Sequence, residues 1–250
     1  MSKEDIIFGL RPILEAIQSG KSIEKIYAKQ GLAGELFNEL KQTAFKFNIP
    51  LQTVPGERIN KFATGNHQGV VAIISPVQYH NLEEIVKKAT LDGEQLFIII
   101  LDGITDVRNF GAIARTSECA GIHAIVVPNK GSAPINADAI KTSAGALFRL
   151  PVCKVQKPWY ALKFLKESGF TVIAVSEKGD SDYRTVDYNG NIALVFGAED
   201  RGISSQILKM CDKTAAIPLK GETGSLNVSV AAGILMFEAI RNRKIHTTQL

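Results

Sequence analysis

Leu10, Ile13, Leu14 and Ile17 recur three and four positions apart until Ser19-Gly20 ends the run, which predicts a first helix. Residues 22–28 (SIEKIYA) alternate as a short strand would. Leu36, Leu40, Ala44 and Phe47 fall on a second helical stripe. Residues 49–54 (IPLQTV) predict a strand, Glu57 to Phe62 a short helix, and residues 69–74 (GVVAII) a buried strand. This alternation describes a small α/β unit over residues 1–76. Residues 75–84 (SPVQYHNLEE) read as a break with a polar helix following to Ala89, so a linker is expected over residues 77–94.

A second unit, residues 95–250, opens on the unbroken apolar run Leu96 to Leu101, which suits the middle of a parallel sheet. Helices are expected over Gly111 to Ala120, Asp138 to Leu147 and Trp159 to Ser168, the last closed by Gly169. Strands are expected over Ala124 to Val127, Thr171 to Ser176, Asn191 to Phe196 and Ala215 to Pro218. A long amphipathic helix, Val228 to Arg241, carries Val230, Ile234 and Phe237 on one face. The βα alternation predicts a doubly wound parallel sheet.

Composition narrows the function class. With 45% apolar residues the 250-residue chain can build a core and is not a disordered protein. Cys119, Cys153 and Cys211 form no CxxC pair, which excludes a disulfide scaffold and a zinc ribbon. The four histidines (His67, His80, His123 and His246) show no HxxxH or HExxH spacing, so no metal site is expected. The opening MSKEDIIFGLRP carries charges where a signal peptide needs an apolar stretch, and no run is long enough to span a membrane. A cytoplasmic location is expected. Residues 1–94 balance their charges, and the rest of the chain carries the net +4, a pI near 8.9 that permits an anionic partner. There is no GxGxxG after the first strand of the second unit, no GxxxxGK[ST] and no GxSxG. These absences argue against a nicotinamide dehydrogenase, a P-loop NTPase and a hydrolase elbow.

Ligands of open α/β sheets bind at the carboxyl ends of strands, and three polar loops follow predicted strands here. The first runs from Asp102 to Gly111 into the helix carrying Arg115, with Asp106 or Asn109 as cap. Arg115 lies six residues past Asn109, about 240° further round a helix, so the two share no stripe. The plain alternative pairs Arg115 with Glu118 on a solvated face. The second loop, Gly197-Ala198-Glu199-Asp200-Arg201-Gly202, brackets an acidic pair with glycines; it could equally be the acidic first turn of a helix. The third, Ile217 to Asn227, enters the last helix with Ser225 as a possible cap. Spacing alone supports an α/β protein with a small-molecule or nucleic-acid site.

Taken in order, LDGITDVRNFGAIARTSECAG (101–121), VFGAEDRGIS (195–204) and IPLKGETGSLNVSVAAGI (217–234) resemble the three motifs of the SpoU (TrmH-type) RNA ribose 2′-O-methyltransferases. The front segments IIFGLRPILEAI and NHQGVVAII (66–74) resemble the small L30e-like RNA-binding domain of the branch that methylates guanosine in 23S rRNA. One departure is Val107, where the family usually has proline. The resemblance implies a parallel-sheet SPOUT-type domain with a C-terminal trefoil knot and a homodimer whose site is completed by both protomers. It implies S-adenosylmethionine held by Gly197, Ile217, Leu219 and Leu226, with Asn109, Arg115, Glu199, Ser225 and Asn227 as catalytic or substrate-positioning residues. Arg11, His67 and Gln68 become candidate substrate contacts, and ribosomal RNA the partner, with no membrane and no metal. A free guanidinium stays protonated far above neutral pH, so clamping a phosphate and stabilising an alkoxide suit Arg115 better than acting as a base. The competing readings are a tRNA ribose methyltransferase, a non-catalytic RNA-binding ribosome-assembly protein and a nucleotide-binding metabolic enzyme, which the missing phosphate loop disfavours.

Overall fold

A computed structural model describes residues 6–63 and 65–243. The chain divides into two compact units, the first running to Gln78 and including Pro134–Ala137, the second formed by Tyr79–Ala133 and the chain from Asp138 on. The N-terminal unit runs β1 (Ile6–Phe8), α1 (Leu10–Gln18), β2 (Ile23–Lys29), α2 (Glu35–Lys46), β3 (Leu51–Val54), α3 (Gly56–Phe62) and β4 (Val70–Ile74). Its sheet has the order β1-β4-β2-β3, with β4 antiparallel to both neighbours and β2 parallel to β3. Ile13, Leu14 and Ile17 of α1 and Phe37, Leu40 and Ala44 of α2 bury one face against Ile26, Ala28, Val70 and Ala72. Ile59 of α3 covers Tyr27, Val54 and Val71 on the other.

The C-terminal unit contains α4 (Leu82–Leu91), β5 (Phe97–Asp102), α5 (Val107–Cys119), β6 (Ala124–Pro128), α6 (Ala137–Thr142), β7 (Val152–Val155) and α7 (Pro158–Glu167). It continues through β8 (Thr171–Val175), β9 (Ser181–Asp182), β10 (Ile192–Gly197), α8 (Ser205–Leu208), β11 (Lys213–Ala216) and α9 (Val228–Asn242). The seven strands are ordered β7-β6-β5-β10-β8-β11-β9, and every pairing is parallel. The chain lays β6 and β7 on one side of β5 and the later strands on the other. The strand order therefore reverses between β5 and β10, where α/β sheets open a crevice for ligands.

Residues 77–94 are not a linker. Asn81 caps α4 by accepting from the Glu83 and Glu84 amides, and Leu82, Val86 and Ala89 pack into the core with Leu96, Ile98 and Val126. The polar positions that suggested a linker are the solvated face of this amphipathic helix. The expected helix from Asp138 to Leu147 is also broken. Ala144 and Gly145 take left-handed backbone angles, and a short 3₁₀ turn over Ala146–Phe148 follows. Among the described residues no helix is long and apolar enough to cross a membrane, and no group of three or more His, Cys, Asp or Glu is placed to hold a metal.

Candidate functional site

The ends of β8 and β10, the residues that follow β11 and the segment entering α9 enclose a cavity of about 390 Å³, within the size range of small-molecule sites. Phe196, Gly197, Ile203, Ile217, Leu219 and Leu226 give it apolar walls, and Glu199, Ser225 and Asn227 stand among its polar lining. All four residues expected to hold a methyl donor thus line one space. Ser176, Glu177 and Lys178 also line it. The sequence reading passed over them, although they follow β8 at its carboxyl end.

The floor depends on Gly197. Residues 198–202 fold into a tight loop in which the Ala198 and Gly202 amides each donate to the other's carbonyl, at 3.2 and 2.8 Å. A Cβ on Gly197 would lie 2.1 Å from the Gly202 carbonyl carbon and 2.2 Å from the Ile203 nitrogen, both backbone atoms. The loop is tied to the first motif as well. Asp102 Oδ2 accepts from the Ser204 amide at 2.7 Å, and the Arg201 guanidinium lies over Gly103, whose φ is +85°. Glu199 and Asp200 therefore sit in a turn and not in the first turn of a helix; α8 begins only at Ser205. We expect Gly197→Ala to displace this loop, costing about 1–3 kcal/mol of stability and weakening S-adenosylmethionine binding in calorimetry more than tenfold. Unchanged affinity would contradict the seating of the loop.

Asn227, not Ser225, caps α9. Its Oδ1 accepts from the Ser229 and Val230 amides at 2.9 and 3.4 Å and from the Ser229 hydroxyl at 2.5 Å. This fixes the side-chain amide, because only the nitrogen end is left to face Glu199 and Asn109. Nδ2 donates to Glu199 Oε1 at 2.6 Å and to Asn109 Oδ1 at 3.0 Å. The Val228 amide adds a longer contact of 3.4 Å to Glu199. One residue from each motif is thereby joined at the lip of the cavity. Asn109 is held in turn by the start of α5, where Asp106 Oδ1 accepts from the Arg108 and Asn109 amides at 2.8 and 2.9 Å. Val107 occupies the first helical position, where proline is favoured but not required, and Asp106 still caps the helix.

Arg115 is not brought to this cluster. It is exposed on α5 and does not line the cavity. Nor does it pair with Glu118, which Arg149 takes at 2.6 Å. The Arg149 guanidinium holds the Glu118 carboxyl below its usual range.

Arg11, His67 and Gln68 belong to the N-terminal unit. Gln68 Oε1 accepts from the Leu10 amide at 3.1 Å, serving one of the orphan donors at the start of α1. His67 Nδ1 accepts from the Gly69 amide, and its Nε2–H donates to Asn60 Oδ1, both at 3.0 Å. Both side chains hold their own loop in place, while Arg11 is exposed.

Comparison with known proteins agrees with this geometry. The SpoU rRNA Methylase family matches residues 96–237, and the family described as RNA 2′-O ribose methyltransferase substrate binding matches residues 6–80. A Bacillus subtilis protein of the TrmH family of tRNA/rRNA methyltransferases is 33% identical over 241 residues, covering 96% of this chain and 97% of its own. A Staphylococcus epidermidis protein of the same family is equally similar. An AdoMet-bound rRNA methyltransferase from Sinorhizobium meliloti superposes with a TM-score of 0.60 at 25% identity, covering 94% of this chain and 86% of its own. The SpoU methyltransferase AviRb of Streptomyces viridochromogenes, also solved with AdoMet, gives 0.60 at 24%, over 94% and 89% of the two chains. With both units matched and the three motifs meeting at one cavity, the chain belongs to the SpoU (TrmH) family of RNA 2′-O-ribose methyltransferases.

Proposed function

We propose that the protein methylates the ribose 2′-hydroxyl of a guanosine in 23S rRNA, in the cytoplasm, using S-adenosylmethionine. The observation that carries the reading is the Asn109–Asn227–Glu199 cluster at the mouth of a donor-sized cavity. The cavity suits a molecule with an apolar, positively charged sulfonium centre and polar ends, since apolar walls alternate with Glu199, Ser225 and Asn227. Gly197, Ile217, Leu219 and Leu226 would hold it, and when bound it supplies an activated methyl group.

The chain's own task is then position and exclusion of water. Glu199 fixes the Asn227 amide, and Asn227 fixes Asn109, whose side-chain nitrogen is left to meet a ribose oxygen. Ser225 lines the same wall. Arg115 would clamp the neighbouring phosphate through its paired N–H donors and stabilise the alkoxide as it forms. A guanidinium is a poor general base, and the substrate's own phosphate can help to take the hydroxyl proton.

Arg115 lies outside the cluster of its own chain, which fits a site completed by a second protomer. Helix α9 supports that pairing. Val228, Ala232, Leu235, Met236 and Ala239 are buried, while Val230 and Phe237 on the opposite stripe are 51% and 53% exposed. A helix apolar on both sides calls for a partner. We take the chain to be a homodimer with the family's C-terminal trefoil knot. The N-terminal unit, an L30e-like substrate-binding domain, would meet RNA through local contacts such as Arg11, because residues 1–94 carry no net charge.

The test supplies methyl-labelled donor and total RNA from a strain lacking the gene, then maps the label. Label on a ribose of a large-subunit guanosine is expected. Label in tRNA, or on a base, would overturn the assignment.

A further inference from the structure

Resting on the RNA reading above, we propose that the carboxyl edge of the β5–β6–β7 half-sheet is a second RNA contact, a stacking platform for an unpaired nucleotide beside the target. Tyr160 is its centre. The Tyr160 ring is 62% exposed, and it stacks on Trp159 with centroids 4.2 Å apart and planes inclined by 19°. Trp159 packs against the core of the unit beside Ala161, Leu162 and Leu165. Tyr160 lies on the opposite, outward side of α7, so it adds little to folding. It is a flat aromatic surface held rigid by the ring beneath it.

Topology places this surface in line with the site. All seven strands are parallel, so their carboxyl ends share one edge. Pro158 starts α7 three residues after β7 ends. Helical side chains lean toward the helix N-terminus, which tips Tyr160 toward that edge. The order β7-β6-β5-β10 puts three strand spacings, about 14 Å, between the end of β7 and the cavity at β10.

The charge along this stretch is basic. Arg108 follows β5, Lys130 follows β6 and Lys157 follows β7, and all three are exposed. Asp106 caps α5 through Oδ1 while its Oδ2 lies 4.0 Å from the Arg108 guanidinium, so Lys130 and Lys157 carry most of this charge. Spaced cations with an exposed aromatic ring are what a single strand of RNA requires: phosphates meet the cations and one base stacks on the ring. Stacking also suits recognition of RNA at unpaired loops, where bases are free of their own helix.

Trp159 is the sole tryptophan of the chain, so its emission reports on this patch directly. The experiment titrates the full-length protein with rRNA stripped from a strain lacking the gene, without methyl donor. Trp159 emission should be quenched as RNA binds, in Tyr160→Phe as in the wild type. Tyr160→Ala should lose the quenching and bind RNA about tenfold more weakly. In the methylation assay it should raise KM while kcat and S-adenosylmethionine affinity hold. Lys157→Glu should flatten the salt dependence of binding. Unchanged RNA affinity and KM in Tyr160→Ala would overturn the platform. So would emission that follows protein concentration without RNA, which would mark a surface for a second copy. Because quenching and affinity are read without donor, a wild type that binds RNA here but methylates none would fail the catalytic reading alone.

Discussion

Asn227→Asp is expected to leave the fold standing and to cut methyl transfer by about 10²–10³-fold, the loss typical when one preorganised donor is removed from an active site. The side chain has two separable jobs. Oδ1 caps α9, and aspartate caps as well as asparagine does, so the Ser229 and Val230 amides keep their acceptor. Nδ2 is the donor that joins Glu199 at 2.6 Å and Asn109 at 3.0 Å. In the variant an oxygen takes its place, and three acceptors face one another. Two carboxylates so close cannot both stay ionised without parting, and one of them must bind protons more readily. A shared proton would restore the missing donor, so the variant's activity relative to wild type should climb as pH falls from about 8 toward 5. Asn227→Ala serves as control. It removes cap and donor together, losing about 1 kcal/mol of stability with no recovery in acid. Melting temperature, turnover and their pH profiles check this. An Asn227→Asp enzyme within twofold of wild type would show that the donor is not needed.

The same residue shows where sequence reading stops. The loops at the carboxyl ends of strands were legible, because a buried apolar strand followed by Gly, Asn and charge marks a turn at a sheet edge. Which of Ser225 and Asn227 caps α9 was not legible. Both are good caps two positions apart, and the choice depends on where the loop meets Glu199. Periodicity found the stripe Val230, Ile234 and Phe237 but not which side of α9 is buried. That side is set by packing against α5, where Ser117 and Met236 are both buried and their Oγ and Sδ atoms lie 3.4 Å apart. Strand β7 escaped notice because Lys154 interrupts its apolar pattern. The lysine is nonetheless buried, its ammonium 4.2 Å from the centre of the Tyr79 ring. The pair considered for Arg115 and Glu118 was locally sound, yet Arg149, far along the chain, takes the carboxylate. Each of these misses turns on a long-range partner that no local pattern contains.

Arg115→Ala is expected to abolish turnover while S-adenosylmethionine binding survives. The cavity is lined without Arg115, so its loss leaves the donor's walls intact. What disappears is the cation that would hold the phosphate and the alkoxide, a contribution made as charge develops in the reaction. Arg115→Lys should recover little, since an ammonium cannot present the paired donors of a guanidinium. The placement of Arg115 outside its own cluster sharpens the test. If each site takes Arg115 from one protomer and Asn227 from the other, the two inactive variants complement each other. Mixing Arg115→Ala with Asn227→Asp and letting subunits exchange makes half the dimers mixed. Each mixed dimer carries one intact site, and activity should return to about a quarter of wild type. If both residues served the same protomer's site, every site in the mixture would lack one of them or come from a doubly intact chain that is not present, and no activity would return. Calorimetry on Arg115→Ala alone separates the remaining possibility. Donor affinity lost in parallel with turnover would mean that Arg115 builds the cavity and does not act on the RNA.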